Sequence, residues 1–193
     1  LITGIFGSGG SYLAEHLLKK KIKSKIFGVY NNSSGKYLNN IKPDKIKNFQ
    51  CDLTDYKKTL NLIKKLKPDL VFHLASNADV NKSFYEPYNF LKNNCELTLN
   101  LFEAIRNTKN ISPLIIMCST SEVYGQVTKK DVPINENQIF NPANPYAVSK
   151  CYQDLLAQNY HKNFDMKIII TRMFTYLNPR RTNLFASNWA SQI

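Results

Sequence analysis

The fold of this chain is decided by its first eighteen residues, LITGIFGSGGSYLAEHLL (Leu1–Leu18). They begin with an apolar segment typical of a buried strand, continue through Gly4, Gly7 and Gly10, and then repeat apolar residues at helical spacing. Glycines at these positions let the backbone turn tightly and approach a pyrophosphate, while the following helix offers free N–H groups and the positive end of its dipole. The stretch therefore predicts a dinucleotide-binding turn.

The rest of the chain alternates between short apolar runs and segments of helical periodicity. Strands are predicted over residues 25–30, 47–51, 69–75, 114–118 and 166–171. Helices are predicted over residues 56–66, from about residue 86, from Tyr146 and again from Asn183, and a polar loop over residues 77–82. This alternation predicts one α/β domain: a Rossmann-type, doubly wound, mostly parallel sheet with helices on both faces.

Polar residues follow two of the predicted strands, where the carboxyl ends of parallel strands form a ligand crevice. The second strand leads into Asn31-Asn32-Ser33-Ser34 and not into the acid that usually binds the ribose of NAD. Small polar residues tolerate a 2′-phosphate better than a carboxylate does, so NADP is the predicted cofactor, with NAD as the alternative. Asp52 follows the third strand and is placed either against the adenine or, like Thr54, as a cap of the next helix.

A candidate acid/base pair lies at the start of the predicted helix near residue 146. Tyr146 and Lys150 are four residues apart, so both side chains lie on one helical face. A free tyrosine has a pKa of about 10, and a neighbouring ammonium favours its phenolate form. The pair is therefore suited to proton transfer near neutral pH. Thr120 and Glu122 follow the fifth strand and are predicted to face the same crevice.

The composition indicates which classes of partner the chain is expected to bind. Its 193 residues carry a formal net charge of +12, mostly from lysines spread along predicted helix faces without an aromatic-interleaved basic motif. We therefore predict no nucleic-acid partner. No apolar run approaches the roughly 20 residues of a membrane span, so no membrane partner is predicted either.

Cysteine and histidine spacing gives no sign of a metal centre or a disulfide framework. Cys51, Cys95, Cys118 and Cys151 are scattered, without a C-x-x-C pair, which is typical of buried thiols in a cytoplasmic protein. The three histidines lie far apart along the chain, and His73, within an apolar run, is interpreted as a core residue rather than a catalyst.

Both ends of the sequence suggest a fragment. The chain begins partway through a strand pattern, without methionine, and ends inside a helical pattern at Ile193. We expect residues 1–193 to form an NAD(P)-binding Rossmann domain truncated at both ends, with the C-terminal substrate-binding region largely absent.

Four motifs together carry a family resemblance: the glycine segment from Thr3 to Glu15, Ser119–Gly125, the Tyr146/Lys150 pair and Asn178–Arg181. With them the whole chain resembles the extended short-chain dehydrogenase/reductase family, also called the NAD-dependent epimerase/dehydratase family. Within that family it is most similar to the GDP-mannose 4,6-dehydratase subgroup.

The resemblance implies an internal redox dehydration that converts GDP-mannose to GDP-4-keto-6-deoxymannose. Tyr146, assisted by Lys150, would remove the proton from sugar O4 as hydride leaves C4 for NADP⁺, with Thr120 hydrogen-bonded to that oxygen. Glu122 would take the C5 proton and help to expel water from C6, where the hydride returns.

The resemblance also implies the residues of the cofactor site and the state of assembly. The implied cofactor-binding residues are Gly4, Gly7, Gly10, Asp52, Leu53, Leu74, Ala75, Ser76, Tyr146, Lys150 and Arg181. The expected partners are a nucleotide-sugar substrate and further copies of the chain in a homo-oligomer.

Other functions remain open at this point. A 4-keto-6-deoxy-sugar reductase or a nucleotide-sugar epimerase needs Thr120, Tyr146 and Lys150 but no elimination base, so Glu122 discriminates between them and a dehydratase. A dTDP-glucose dehydratase is disfavoured because Ser121 stands where an aspartate is expected. A non-catalytic dinucleotide-binding module has no need of the complete set of polar residues.

Overall fold

The computed structural model describes residues 1–31, 45–175, 178, 180, 185–190 and 192 of the chain. The strands are β1 (Ile2–Thr3), β2 (Ile26–Tyr30), β3 (Ile46–Gln50), β4 (Leu70–His73), β5 (Leu114–Thr120) and β6 (Lys167–Met173). The helices are α1 (Ser8–Lys19), α2 (Tyr56–Leu66), α3 (Val80–Tyr85), α4 (Pro87–Arg106), α5 (Pro145–Phe164) and α6 (Phe185–Ala190). Two 3₁₀ turns, Ser121–Tyr124 and Lys129–Asp131, lie between β5 and α5.

The strands form one sheet in the order β3-β2-β1-β4-β5-β6, and every described pairing is parallel. The order runs outward from β1 in one direction to β3 and from β4 in the other to β6. The chain therefore changes direction between β1 and β4, the place where open parallel sheets leave a crevice at the carboxyl ends of their strands. The prediction of a doubly wound parallel sheet is confirmed.

Alternate residues of the strands build two cores, one on each face of the sheet, as the period of two in a strand requires. On one face α1 covers Ile2, Ile26 and Ile46. On the other face α2, α4 and α5 cover a larger cluster that includes Val71 and Ile115. Helices thus cover both faces, as predicted.

Two local predictions are wrong. The segment predicted as a polar loop over residues 77–82 contains the start of α3, whose first turn is capped by the Asp79 side chain at 3.0 Å from the backbone N–H of Lys82. The cap of α2 is Asp55, which accepts the N–H of Lys58 at 3.1 Å, and neither Asp52 nor Thr54. Both aspartates sit in extended backbone immediately before a helix, which is the geometry a side-chain cap needs.

The bounds of the strands differ from the predicted ones by up to two residues. β4 ends at His73 because the chain leaves the sheet at Leu74, whereas β5 and β6 continue to Thr120 and Met173. The longer β5 and β6 remain paired to their last residue, where Thr120 lies opposite Met173. Within the described part of the chain, no helix has the length and apolar character needed to cross a membrane.

Candidate functional site

Two adjoining cavities of about 270 and 260 Å³ lie at the carboxyl ends of the strands. Gly4, Gly7, Leu74 and Ser76 line both of them, so the cavities meet along the turn after β1 and the turn after β4. This is the crevice that the strand order produces. We call the first, which contains Tyr146, the reaction cavity, and the second, which contains Asp52, the Asp52 cavity.

The glycine turn is shaped by the space that side chains would need. Gly4 has φ +67°, and a Cβ there would lie 2.9 Å from the backbone N of Ala75. At Gly10 a Cβ would collide with the carbonyl oxygen of Gly4, which itself accepts the N–H of Gly7 at 2.9 Å. The absence of side chains therefore lets the first turn of α1 close onto β1 and leaves its N–H groups facing the reaction cavity.

Three of the residues predicted to bind the cofactor line the Asp52 cavity and not the reaction cavity. Asp52 and Leu53 line it together with Ala75 and Asn31. Asp52 Oδ1 accepts the N–H and the hydroxyl of Thr54 at 2.9 and 2.7 Å, which fixes the carboxylate at the cavity wall. The rest of the segment that motivated the NADP prediction, residues 32–34, lies outside the described residues.

The reaction cavity brings the four candidate catalytic residues together. They come from the end of β5, the 3₁₀ turn after it and the first turns of α5, and they are Thr120, Glu122, Tyr146 and Lys150. Helix α5 begins with Asn144 as its cap and Pro145 at its first position, where proline is already preorganised for a helix. The sequence signal for this helix start is therefore local, and it places Tyr146 and Lys150 on the same face.

Lys150 is almost completely buried and donates a hydrogen bond of 2.5 Å to the carbonyl oxygen of Cys118. Burial lowers the pKa of Lys150 from its ordinary value to about 8, opposed by the nearby Cys118 and Asp154. The lysine therefore keeps most of its charge at neutral pH. A positive charge fixed in this way favours the phenolate form of a tyrosine that shares the cavity.

Thr120 and Glu122 are arranged by the turn that ends β5. Thr120 Oγ1 accepts the backbone N–H of Glu122 at 3.3 Å, so its own hydrogen remains available for an oxygen in the cavity. Glu122 is exposed at the mouth, and its Oε2 accepts Nδ2 of Asn144 at 3.0 Å. Thr120 thus offers the cavity a hydroxyl donor, and Glu122 offers it a carboxylate.

Sequence reasoning missed a buried polar connection between the two cavities. Asn94 in α4 accepts the backbone N–H of Asn77 at 2.8 Å, donates to the carbonyl oxygen of Asn77 at 3.0 Å and donates to Ser149 Oγ at 2.8 Å. Ser149 precedes Lys150, and Asn77 follows Ser76, which lines both cavities. A fully buried asparagine therefore ties the turn after β4 to α5. Nothing local in the sequence distinguishes Asn94 from other helical asparagines.

A second buried chain of hydrogen bonds passes through His73. Its Nδ1 lies 2.9 Å from Thr3 Oγ1 and its Nε2 lies 3.0 Å from Thr98 Oγ1. Thr98 accepts Nε2 of Gln153 in α5 at 2.5 Å, and Thr3 accepts the N–H of Ala75 at 3.1 Å. His73 is thus a core residue with both ring nitrogens engaged, which confirms the interpretation from the sequence. Burial, with a smaller contribution from the charge of Lys150, lowers its pKa to about 3, so the ring is neutral.

An ion pair between Arg172 and Asp154 supports the 3₁₀ turn that follows β5. Arg172 in β6 binds the fully buried carboxylate of Asp154 through two nitrogens, at 2.9 and 3.0 Å. It also donates to the hydroxyl of Tyr124 at 2.9 Å, and its guanidinium lies 4.7 Å from the ring centroid of Phe140. The 3₁₀ turn that carries Glu122 is therefore fixed to α5 and β6 at its far end.

Of the predicted cofactor residues, only Arg181 lies outside the described residues. Its neighbour Arg180 contacts α1: it donates to Ser11 Oγ at 2.7 Å, forms an ion pair with Glu15, and stacks 3.9 Å from the ring centroid of Tyr12. In the described part of the chain, no group of three or more His, Cys, Asp or Glu side chains is placed to hold a metal ion.

Comparison with known proteins gives one family match that covers nearly the whole chain. The model of the family described as GDP-mannose 4,6 dehydratase matches residues 1–192. The GDP-mannose 4,6-dehydratase of Yersinia enterocolitica is 33% identical over 199 residues, covering 97% of this chain and 52% of the relative. The dTDP-D-glucose 4,6-dehydratase of Dictyostelium discoideum is 34% identical over 194 residues, covering 94% of this chain and 44% of the relative. The chain thus spans about half the length of these relatives.

Solved structures with the same fold include an epimerase and a protein bound to NADPH. The UDP-N-acetylglucosamine 4-epimerase of Methanobrevibacter ruminantium M1 superposes with a TM-score of 0.82 at 31% identity, covering 95% of this chain and 57% of that one. RMD from Pseudomonas aeruginosa, solved in complex with NADPH, superposes with a TM-score of 0.77 at 25% identity, covering 99% of this chain and 59% of that one.

Proposed function

The chain belongs to the GDP-mannose 4,6-dehydratase family, and from that premise we propose that the complete protein removes water from a nucleotide-activated hexose, GDP-mannose, with NADP as its cofactor. The observation that carries the proposal is the meeting of Thr120, Glu122, Tyr146 and Lys150 in one cavity beside the glycine turn. The set combines an acid/base pair for the sugar hydroxyl with a carboxylate for the elimination.

The residues present fit a dinucleotide. The glycine turn leaves a cradle that a single Cβ at Gly4 or Gly10 would fill, at the start of α1. Anionic groups are favoured at such a helix start because its N–H groups and dipole point toward them. Asp52, Leu53 and Ala75 would then lie along the adenosine half. NADP is proposed over NAD because the sequence has no acidic residue at positions 31–34, directly after β2.

When bound, NADP would accept hydride from C4 of the sugar and return it to C6. We assign the remaining work to the chain. Tyr146 takes the proton from the O4 hydroxyl, and the buried Lys150 ammonium supports the phenolate that does so. Thr120 donates its free hydrogen to O4 and keeps that oxygen at the phenol.

Glu122 is proposed as the base of the elimination. A keto group at C4 acidifies the proton on C5, and a carboxylate is a suitable base for such a proton. Glu122 passes the C5 proton to the C6 hydroxyl, which leaves as water, and C5 takes up a proton from solvent when hydride returns to C6, so the step balances. Glu122 lies two residues beyond Thr120, in the same wall of the reaction cavity, so both can act on neighbouring carbons of one ring.

The second candidate function is a 4-keto-6-deoxy-sugar reductase or a nucleotide-sugar epimerase. It is favoured by the similarity to the Methanobrevibacter epimerase. Neither reaction uses an elimination base. Glu122→Gln therefore separates the functions: it would stop dehydration, whereas an epimerase or reductase would retain turnover.

The test uses the complete protein, because this chain spans about half of its relatives. We would incubate it with GDP-mannose and catalytic NADP⁺ and follow the product by mass spectrometry and the cofactor by absorbance. The expected result is a product lighter by the mass of one water, without net formation of NADPH. Unchanged mass with the cofactor bound would contradict the proposal and redirect the assay to 4-keto sugars and other nucleotides.

We also propose that the protein forms a homo-oligomer, that the nucleotide-sugar site is completed by a C-terminal region, and that the protein is cytoplasmic. Support for an oligomer comes from exposed apolar side chains on α3, α4 and α5: Tyr85 is 86% exposed, Tyr88 71% and Leu155 55%. All four cysteines are free thiols, in keeping with a reducing compartment. Light scattering of the wild type and of Leu155→Glu tests the oligomer. We expect a lower molecular mass for the variant, because the substitution places a charge in the apolar interface.

A further inference from the structure

Asn144 makes two contacts that join the two halves of the proposed chemistry. Its Oδ1 accepts the backbone N–H of Ala147 at 2.7 Å, which caps α5. Its Nδ2 donates to Glu122 Oε2 at 3.0 Å. One side chain thus connects the helix that carries Tyr146 to the proposed base.

The orientation of the Asn144 amide is fixed by these partners. A backbone N–H can only donate, and a carboxylate can only accept, so exchanging the amide oxygen and nitrogen would lose both bonds. The side chain is also buried, with 8% of its surface exposed, whereas Glu122 is exposed. Asn144 is therefore the fixed partner of this hydrogen bond, and it restrains the exposed Glu122 side chain.

The surroundings of Asn144 are rigid enough to transmit this restraint. Val123, next to Glu122, is fully buried, and its carbonyl oxygen accepts the N–H of Asn141 at 2.9 Å. On the helix side, the carbonyl oxygen of Asn144 accepts the N–H of Val148 at 3.0 Å. With the backbone on both sides held in this way, the bond from Nδ2 restrains rotation of the Glu122 carboxylate about its own side chain.

We propose that Asn144 is a positioning residue for the C5 proton transfer, holding Glu122 so that Oε1 faces the sugar. The inference rests on the proposed function, in which Glu122 is the base. Asn144 Nδ2 donates to Glu122 Oε2, and among the described residues Glu122 Oε1 makes no hydrogen bond. Because an amide does not exchange its proton with a carboxylate, Asn144 fixes the base without competing for the C5 proton. It also sets the distance between Glu122 and Tyr146, two residues into α5.

The two contacts can be separated by substitution. Aspartate and serine cap helices about as well as asparagine, but neither offers the Nδ2 donor. Asn144→Ser and Asn144→Asp therefore keep the cap and release Glu122, and the aspartate adds a like charge beside it. Asn144→Ala loses both contacts. Asn137→Ser, an exposed position in the same connecting segment, is the matched control.

We expect Asn144→Ser and Asn144→Asp to keep the thermal midpoint of the wild type and to bind NADP⁺ within about twofold of it. Turnover of GDP-mannose should fall about 10- to 100-fold, the size of loss that a misplaced reacting group produces, with the aspartate variant slower. Asn144→Ala should in addition lower the thermal midpoint. Asn137→Ser should match the wild type in every measurement.

Isotope effects identify the step that slows. With GDP-mannose deuterated at C5, the isotope effect on turnover should rise in Asn144→Ser, because C5 proton removal becomes rate-limiting. With GDP-mannose deuterated at C4, the isotope effect should fall toward one. The reverse pattern would show that the substitution acts on Tyr146 through the helix, and it would overturn the inference.

A double variant closes the test. If Asn144 acts through Glu122, then Asn144→Ser combined with Glu122→Gln should be no slower than Glu122→Gln alone. Additive losses would overturn the inference, and so would an Asn144→Ser variant with wild-type turnover. If the wild type itself fails to dehydrate GDP-mannose, the proposed function fails, and this inference fails with it. The wild-type control therefore distinguishes the two failures.

Discussion

The two ends of the crevice are built by different means. The glycine turn between β1 and α1 owes its shape to backbone and to missing side chains, since a Cβ at Gly4 or Gly10 would collide with neighbouring backbone atoms. The reaction cavity owes its shape to side chains, with Lys150 bonded to β5 and Glu122 bonded to Asn144. The first end therefore depends on a few consecutive residues, whereas the second depends on pairs of residues that are distant in sequence.

The difference has consequences for substitution. A side chain added to the glycine turn should block binding, because the space is occupied by backbone that cannot move aside. A side chain removed from the reaction cavity should spare binding and affect the reaction. The predictions below test this contrast.

The largest effect is expected from Tyr146→Phe. Loss of a positioned acid/base group costs about 10²- to 10⁴-fold in rate, while the ring that lines the cavity is retained. Turnover of the complete protein should fall by that amount, with NADP⁺ affinity unchanged, as measured by product mass and fluorescence titration. Tyr152→Phe, six residues further along α5, is the control. Normal turnover of Tyr146→Phe would remove the mechanism.

Gly10→Ala should produce the opposite pattern. The added methyl group would collide with the carbonyl of Gly4, so the turn must open. NADP⁺ affinity is expected to fall about 100-fold, a loss of about 2.7 kcal/mol, as read by titration calorimetry. Gly9→Ala adds the same methyl group at the preceding position of α1, where alanine favours the helix. Equal affinities for the two variants would contradict the backbone explanation.

Asn94→Leu tests the connection between the turn after β4 and α5. The substitution leaves the N–H and C=O of Asn77 without their partner, whereas Ser149 loses the Asn94 donor but still donates to the carbonyl oxygen of Tyr146 at 2.7 Å. A buried polar group left unpaired costs about 1–3 kcal/mol, so the free energy of unfolding should fall by about 3 kcal/mol in urea titrations. Asn93→Leu is the control: its side chain makes a single described bond, at 3.0 Å to Asn94. Equal losses in the two variants would show that the connection carries no special weight.

The last effect is a pH dependence of stability from His73, which is small near neutral pH and grows as the pH falls. Its pKa in the folded chain is about 3, below the ordinary 6.5, so the unfolded chain binds more protons between these values. The contribution of His73 to stability is therefore present above pH 6.5 and lost as the pH falls toward 3. Urea titrations at several pH values should show a shallower fall for His73→Gln. Parallel curves for the two proteins would place the acid sensitivity elsewhere.

His73 and Lys150 also show which of two buried basic side chains carries the positive charge. The charge of Lys150 contributes to lowering the pKa of His73, and the imidazole stays neutral between two threonine hydroxyls. The lysine keeps its proton because Cys118 and Asp154 favour the ammonium. The positive charge thus lies in the reaction cavity and not in the core beneath it.

The sequence predicts those parts of the molecule whose causes are local. Parallel strands, the glycine turn, the start of α5 and the pairing of Tyr146 with Lys150 each depend on residues within one or two turns of the chain. The start of α3 was missed because its cap, Asp79, lies within a segment whose polar residues are equally typical of a loop.

The supporting contacts could not be predicted because each joins residues far apart in sequence. Asn94 and Ser149 are 55 residues apart, Asn144 and Glu122 are 22 apart, and Arg172 and Asp154 are 18 apart. A single sequence gives no measure of which asparagines or arginines will meet. Their partners are set by the packing of α4 on α5 and by the order of the strands.

The most direct test of the central claim follows one hydrogen atom. GDP-mannose deuterated at C4 would be converted by the complete protein with catalytic NADP⁺, and the product examined by NMR. The proposed internal dehydration predicts deuterium at C6 of a product that has lost water. Deuterium retained at C4, or lost to the cofactor pool without dehydration, would contradict it and favour an epimerase or a reductase.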